Sequence, residues 1–238
     1  MKKYVSLNQT DLNITSNENY IINNGSLDIL VKSGVATNLL TYNTFENVNL
    51  NLTVEKDAIV NIYQIINTES NSNISCVVDL KEQGATINQM VVLLGSKNSE
   101  INTDIKIYHN TNHTNSDLKV YAIVKDEAKI NLDNNAYIKK TSYQSVSHQS
   151  AKGLNLSKTA KILVNPNLYI DEYDVMASHG VAMGSLNQDD LFYLMSRGLT
   201  KEEASNIVIM GFIEPILVQI DNEELTVLIR KEFKEKLI

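Results

Sequence analysis

Lys56-Asp57-Ala58-Ile59-Val60-Asn61 reads as a charged corner, then a small residue, then alternating aliphatic and polar positions. The same order returns at Lys81-Glu82-Gln83-Gly84-Ala85-Thr86-Ile87-Asn88, at Lys125-Asp126-Glu127-Ala128-Lys129-Ile130-Asn131 and at Lys158-Thr159-Ala160-Lys161-Ile162. A weaker copy is Lys97-Asn98-Ser99-Glu100-Ile101-Asn102. Most of the intervals fall within the roughly 20 to 50 residues that mark stacked supersecondary units. The physical reading is a coil that turns at the small residue and enters a strand whose aliphatics point inward. Stacked coils then bury a continuous column of Ile, Val and Leu. Asn suits the corners, because it tolerates left-handed backbone angles and bonds its own turn. The expected fold is a β-solenoid; periodicity alone leaves a meandering sandwich open.

Working outward, the first two thirds of the chain are dominated by Asn, Ser, Thr, Ile and Val, and the prolines are Pro166 and Pro215. Short β-branched runs recur, such as Met90-Val91-Val92-Leu93-Leu94 and Leu118-Lys119-Val120-Tyr121-Ala122-Ile123-Val124, separated by turn residues. After residue 185 the period changes. Leu191, Phe192, Leu194 and Met195 fall at helical spacing, and Gly198 follows as a C-terminal cap. Thr200-Lys201-Glu202-Glu203 reads as a capping box. Pro215 fits the first turn of a third helix, and Asn222–Ile238 carries an amphipathic stripe through Leu225, Leu228, Ile229, Phe233 and Leu237. The expected organisation is a β body over residues 1–185 and a small C-terminal α-helical domain over 186–238.

The 238 residues are 43% apolar and 21% charged, which argues for a packed globular chain. A net charge of -7 gives no basic surface for nucleic acid or an anionic membrane. One cysteine excludes an internal disulfide and a multi-cysteine metal site from this chain alone. The N-terminal Met1-Lys2-Lys3-Tyr4-Val5-Ser6-Leu7-Asn8 has no apolar run behind its lysines, so no signal peptide and no membrane span are expected, and the expected location is the cytoplasm.

One region carries a resemblance. Asn165-Pro166-Asn167-Leu168-Tyr169-Ile170 leads to Asp174-Val175-Met176-Ala177-Ser178-His179-Gly180-Val181-Ala182-Met183-Gly184. Leu191-Phe192-Tyr193-Leu194-Met195-Ser196-Arg197-Gly198-Leu199 and Gly211-Phe212 follow in order. This succession resembles the SufB/SufD family, the scaffold proteins of the SUF iron–sulfur cluster assembly system. The Ser178-His179-Gly180 triplet points to the SufD branch. SufB-like members instead flank this His with glutamates and carry an upstream cysteine, at a position that falls near Ala151 here. The resemblance implies a right-handed parallel β-helix and a non-enzymatic scaffold that pairs with a SufB-like subunit. It implies docking of a SufC-like ABC-type ATPase on the helical domain through Phe192, Tyr193, Ser196, Arg197 and Gly198. No cofactor would be held tightly by the isolated chain; an iron–sulfur cluster would be held transiently in the complex. The chain is shorter than typical members and is expected to lack their N-terminal helical domain and some coils.

His179 is the candidate cluster-assembly residue and metal ligand, placed by the resemblance at the SufB interface; the alternative is a histidine hydrogen-bonded at a strand-to-helix junction. Imidazole suits iron, and Gly180 lets a second protein approach. His109 and His113 lie in a polar run, Tyr108-His109-Asn110-Thr111-Asn112-His113, and read as an exposed loop. Cys76 alternates with apolar neighbours and reads as a small core residue. Phe192 and Arg197 have a plain helix-packing alternative. No phosphate loop or nucleophile elbow is present. Asp171, Glu172 and Asp174 could mimic the paired carboxylates of a solenoid polysaccharide-acting enzyme, although no Trp is available for sugar stacking. A homodimeric structural scaffold using the same interfaces is the third reading.

Overall fold

The computed structural model describes residues 4–7, 10–43, 46–220 and 222–237. Of the segments read above, Met1–Lys3, Asn8, Ile238 and the side chain of Leu237 lie outside the described residues.

The chain alternates between two all-parallel sheets. One contains β1 (Tyr4–Leu7), β3 (Asn19–Ile22), β5 (Ala36–Asn43), β7 (Ile59–Thr68), β9 (Thr86–Gly95), β11 (Asn115–Val124), β13 (Ser145–Asn155) and β15 (Val175–Ser185), in that spatial order. The other contains β2 (Asp11–Ile14), β4 (Ser26–Val31), β6 (Asn47–Val54), β8 (Ser72–Leu80), β10 (Glu100–His109), β12 (Lys129–Ile138) and β14 (Lys161–Ile170). Odd strands pair only with odd and even only with even, so each coil stacks on the one before it. This is a parallel β-solenoid; a meander would pair consecutive strands antiparallel.

The repeated small residue earns its place at the corner. Ala58, Ala85 and Ala128 are fully buried and Ala160 nearly so. The amides of the first three close four-residue turns, with Ala58 N–H donating to Glu55 O at 3.2 Å, Ala85 N–H to Glu82 O at 3.2 Å and Ala128 N–H to Lys125 O at 3.1 Å. Asp57, Gly84 and Asp126 take the left-handed backbone in these turns. Asparagines do serve corners, where Asn24 Oδ1 accepts from the Ser26 amide and Asn71 Oδ1 from the Glu100 amide, but others stand outward in the strands and stack. Asn38 donates to Asn19, Asn61 to Asn38 at 3.0 Å, and Asn88 to Asn61 at 2.8 Å. An amide that is both donor and acceptor can bond the same residue on the coil before and the coil after, which no other short side chain does as well. Tyr108, Tyr137 and Tyr169 make an aromatic ladder on the second sheet, with centroids 4.7 Å apart, the spacing of the strands themselves.

Inward columns form the main core. Leu27, Leu50, Cys76, Ile105, Asn134 and Pro166 are register neighbours in turn. Val60 and Ile130 are fully buried in this core.

Three helices follow: α1 (Gln188–Ser196), α2 (Lys201–Leu217) and α3 (Glu223–Leu237). Asn187 caps α1, Gly198 follows it at φ +96°, and Thr200 and Glu203 form the capping box of α2. Pro215 does not open a helix; it sits in the last turn of α2, where Gly211 stands four residues back, at the carbonyl a proline leaves unpaired. Helices α2 and α3 lie against the outer face of the first sheet. Ile209, Ile213, Ile216, Ile229 and Phe233 pack with Leu40, Ile65, Val92, Leu94 and Ile123 in a second core. These strands therefore bury both faces, which explains why β7 and β9 read as near-continuous apolar runs.

Candidate functional site

Among the described residues the last coil has no successor. Strands β14 and β15 are the outer strands of their sheets, so one side of each backbone lacks a strand partner. On the inward rows of this coil Ile170 is 41% exposed, Val181 45% and Met183 49%, whereas their register neighbours Ile138, Ala151 and Gly153 are buried. Leu163 and Met176 are exposed on the outward face.

His179 lies within β15, not at the junction with α1 as the motif alone suggested. Its register neighbour on β13 is Gln149, and the row continues through Leu118, Gln89, Ile62, Leu39 and Tyr20. Every member before His179 is buried. The imidazole thus extends an inward-facing column and is exposed because no further coil covers it. Gln149 also reaches across to the second sheet, its Nε2 donating to the Asn167 carbonyl at 3.3 Å. Val181 is paired with Ala151, so the position where a SufB-like cysteine is expected lies one strand away, two places along the same face.

Ser178 faces the other way. Its Oγ is 2.7 Å from His148 Nδ1, and Asp117 is the next register neighbour of His148. Asp117 is itself engaged by Lys119 at 2.6 Å. His148 is the residue that spacing could not find: it stands 30 positions before Ser178, and only the stacking of coils brings them together. Gly180 presents open space at its missing Cβ, so the outer surface of β15 is flat there.

His109 is not in an exposed loop. It ends β10, is fully buried, and its Nδ1 and Nε2 lie 2.7 Å from Thr114 Oγ1 and 2.9 Å from Ser116 Oγ. Burial pushes its pKa down to about 4. The polar run around it reads as a turn, but the strand continues to His109 and parity points that side chain inward. His113 does lie in the turn, at φ +55° and edge-on to Tyr143. Cys76 is buried, and burial pushes its thiol up to about 12.

Asp171, Glu172 and Asp174 occupy the turn between β14 and β15. Glu172 accepts from the Tyr173 and Thr141 amides, both at 2.9 Å, and these bonds hold its carboxyl below the usual range. A glycosidic general acid needs the opposite shift. On α1, Phe192 is 74% exposed, and Tyr193 and Met195 are exposed beside it. Arg197 lies over the Tyr193 ring at 5.3 Å and Ser196 donates to the Tyr193 carbonyl. Phe192 is therefore not a core residue; Leu191 fills that role. Among the described residues, no three of His, Cys, Asp and Glu converge to hold a metal ion, and no helix is long and apolar enough to cross a membrane.

Residues 5–212 match the family described as SUF system FeS cluster assembly, SufBD core domain. The chain belongs to the SufBD family. It is 32% identical over 132 residues, 56% of its length, to the iron-sulfur cluster assembly protein SufD of Bacillus subtilis. It is 41% identical over 78 residues, 32% of its length, to an iron-sulfur cluster assembly SufBD family protein of Pyrococcus horikoshii. A SufBD family protein of Synechocystis is 30% identical over 131 residues, 55% of the chain. The matched stretches cover 30%, 17% and 28% of those relatives, so the chain spans under a third of their length. The SufBD core match contains both the terminal coil and α1.

Proposed function

We propose that this SufBD chain is a SufD-like scaffold subunit of an iron–sulfur cluster assembly complex and performs no catalytic step itself. The open terminal coil pairs with a SufB-like subunit, and the exposed face of α1 docks a SufC-like ATPase. The observation that carries this reading is His179: an imidazole on the inward row of the last coil, beside two unpaired strand edges and an apolar rim. A single imidazole is too few ligands for a cluster, which ordinarily takes four. The remaining ligands come from the facing subunit, so the cluster is cargo of the interface. The exposed Phe192, Tyr193 and Arg197 side chains support the docking face, because an aromatic and arginine patch is the composition of interface anchors.

The test is coexpression with the neighbouring genes, followed by pull-down and iron and acid-labile sulfide analysis. With His179→Ala the complex is expected to assemble at the wild-type yield and to carry less iron and sulfide. Wild-type loading at equal protein level would reduce His179 to a structural residue. Failure of the wild-type chain to capture an ATPase would overturn the scaffold reading, and a β-solenoid enzyme or a stand-alone homodimer would take its place.

A further inference from the structure

A pocket of about 470 Å³ lies where the β13–β14 turn meets the helices, lined by Asn155, Ser157, Lys158, Ser185, Gln188 and Lys201 among others. Its volume is within the roughly 300 to 1,000 Å³ of small-molecule sites. Its charge sets it apart from the neighbouring hollows. The larger groove between α2 and α3 mixes Glu202, Glu203 and Glu214 with Arg230 and Lys234, and Arg230 is already paired with Glu214 at 2.6 Å. The hollow on the second sheet is lined by Asp104 and Asp133. The adjoining hollow on α1 shares Lys201 and adds Asp189. The pocket at the turn has two lysines and no carboxylate in its lining. The ion pairs among the described residues engage Lys32, Lys97, Lys106, Lys119, Arg230 and Lys231, and neither Lys158 nor Lys201. In a chain of net charge -7, a one-sign cationic pocket is a local inversion.

An uncharged group adds a donor. Ser157 Oγ accepts from the Asp126 amide at 2.8 Å, which leaves its proton to donate elsewhere. The ligand therefore carries an anionic group for the two ammonium groups and the serine hydroxyl.

We infer that this pocket binds a phosphorylated small molecule, with the phosphate between Lys158 and Lys201. Phosphate offers three strong acceptors to such a donor set. The site is independent of the cluster-assembly reading: its lining includes neither His179 nor any of the docking residues.

The experiment measures thermal unfolding of the full chain with ribose 5-phosphate and, separately, with ribose. A ligand that binds only the folded state raises the midpoint in a saturable way. The expected result is a saturable rise with ribose 5-phosphate at millimolar concentration and none with ribose. Lys158→Glu and Lys201→Glu are each expected to weaken the apparent affinity by about tenfold or more, while Lys139→Glu, an exposed lysine on a distant turn, leaves it unchanged. The lysines are exposed, so the variants are expected to fold. No shift with ribose 5-phosphate, an equal shift with ribose, or an unchanged shift in both lysine variants would each overturn the site.

Discussion

Ser178 Oγ and His148 Nδ1 are joined by a 2.7 Å hydrogen bond across adjacent coils. The bond ties the outermost strand to its neighbour at the residue just before His179. A neutral bond of this kind at the surface is worth about 0.5–1.5 kcal/mol. A double-mutant cycle of His148→Ala and Ser178→Ala, followed by denaturant unfolding, is expected to give a coupling energy in that range. A coupling near zero would mean the two side chains do not meet in solution. For the same reason His113→Ala, not His148→Ala, is the suitable control for His179→Ala in the loading assay.

His109 makes stability depend on pH. Its folded pKa of about 4 lies below the ordinary 6.5. The unfolded chain therefore takes up a proton below pH 6.5 that the folded chain refuses until about pH 4. The contribution is complete above pH 6.5 and is lost as pH falls through this window, by about 3 kcal/mol at most. His109→Gln is expected to lower stability at pH 7, because Thr114 and Ser116 lose their partner, and to flatten the slope between pH 6.5 and 4. An unchanged slope in the variant would assign the pH dependence to other groups.

Cys76 sits between Leu50 and Ile105 in an aliphatic column. With its thiol pushed to about 12, the thiolate fraction at pH 8 is about a thousandfold below that of an ordinary cysteine. Ellman's reagent is expected to leave the folded chain unmodified for hours and to react at once in denaturant. Fast labelling of native protein would show that the solenoid opens around β8.

The solenoid register is tested by burying a charge. Val60→Asp and Ile130→Asp each place a carboxylate in the fully buried inward face, at a cost of several kcal/mol. Both are expected to abolish cooperative unfolding at 25 °C, and a midpoint equal to wild type in either would contradict the register.

Phe233 is fully buried against the outer face of the first sheet. Phe233→Ala is expected to cost about 3–5 kcal/mol, whereas Phe192→Ala and Arg197→Ala, on an exposed face, leave the midpoint within about 0.5 kcal/mol. Those two substitutions are expected to weaken ATPase capture in the pull-down. They test docking better than deleting the helices, which would uncover Leu40, Ile65, Val92 and Ile123.

Local chemistry is what the sequence by itself determined. Small residues before β-branched runs mark the corners, Thr200 with Glu203 starts a helix and Gly198 ends one, and each signal acts within a few residues. The motif from Asn165 to Phe212 likewise named the family without reference to shape. The tertiary structure decided what stands beside what. Stacked partners are separated by 23 residues at Asn38 and Asn61 and by 32 at Asn135 and Asn167. Coil lengths vary that much because corners absorb insertions, so no fixed interval in the sequence identifies the neighbour. Parity within each strand, set only once the register is set, sent His109 into the core, Ser178 outward to His148, and His179 inward onto a column that ends in open space.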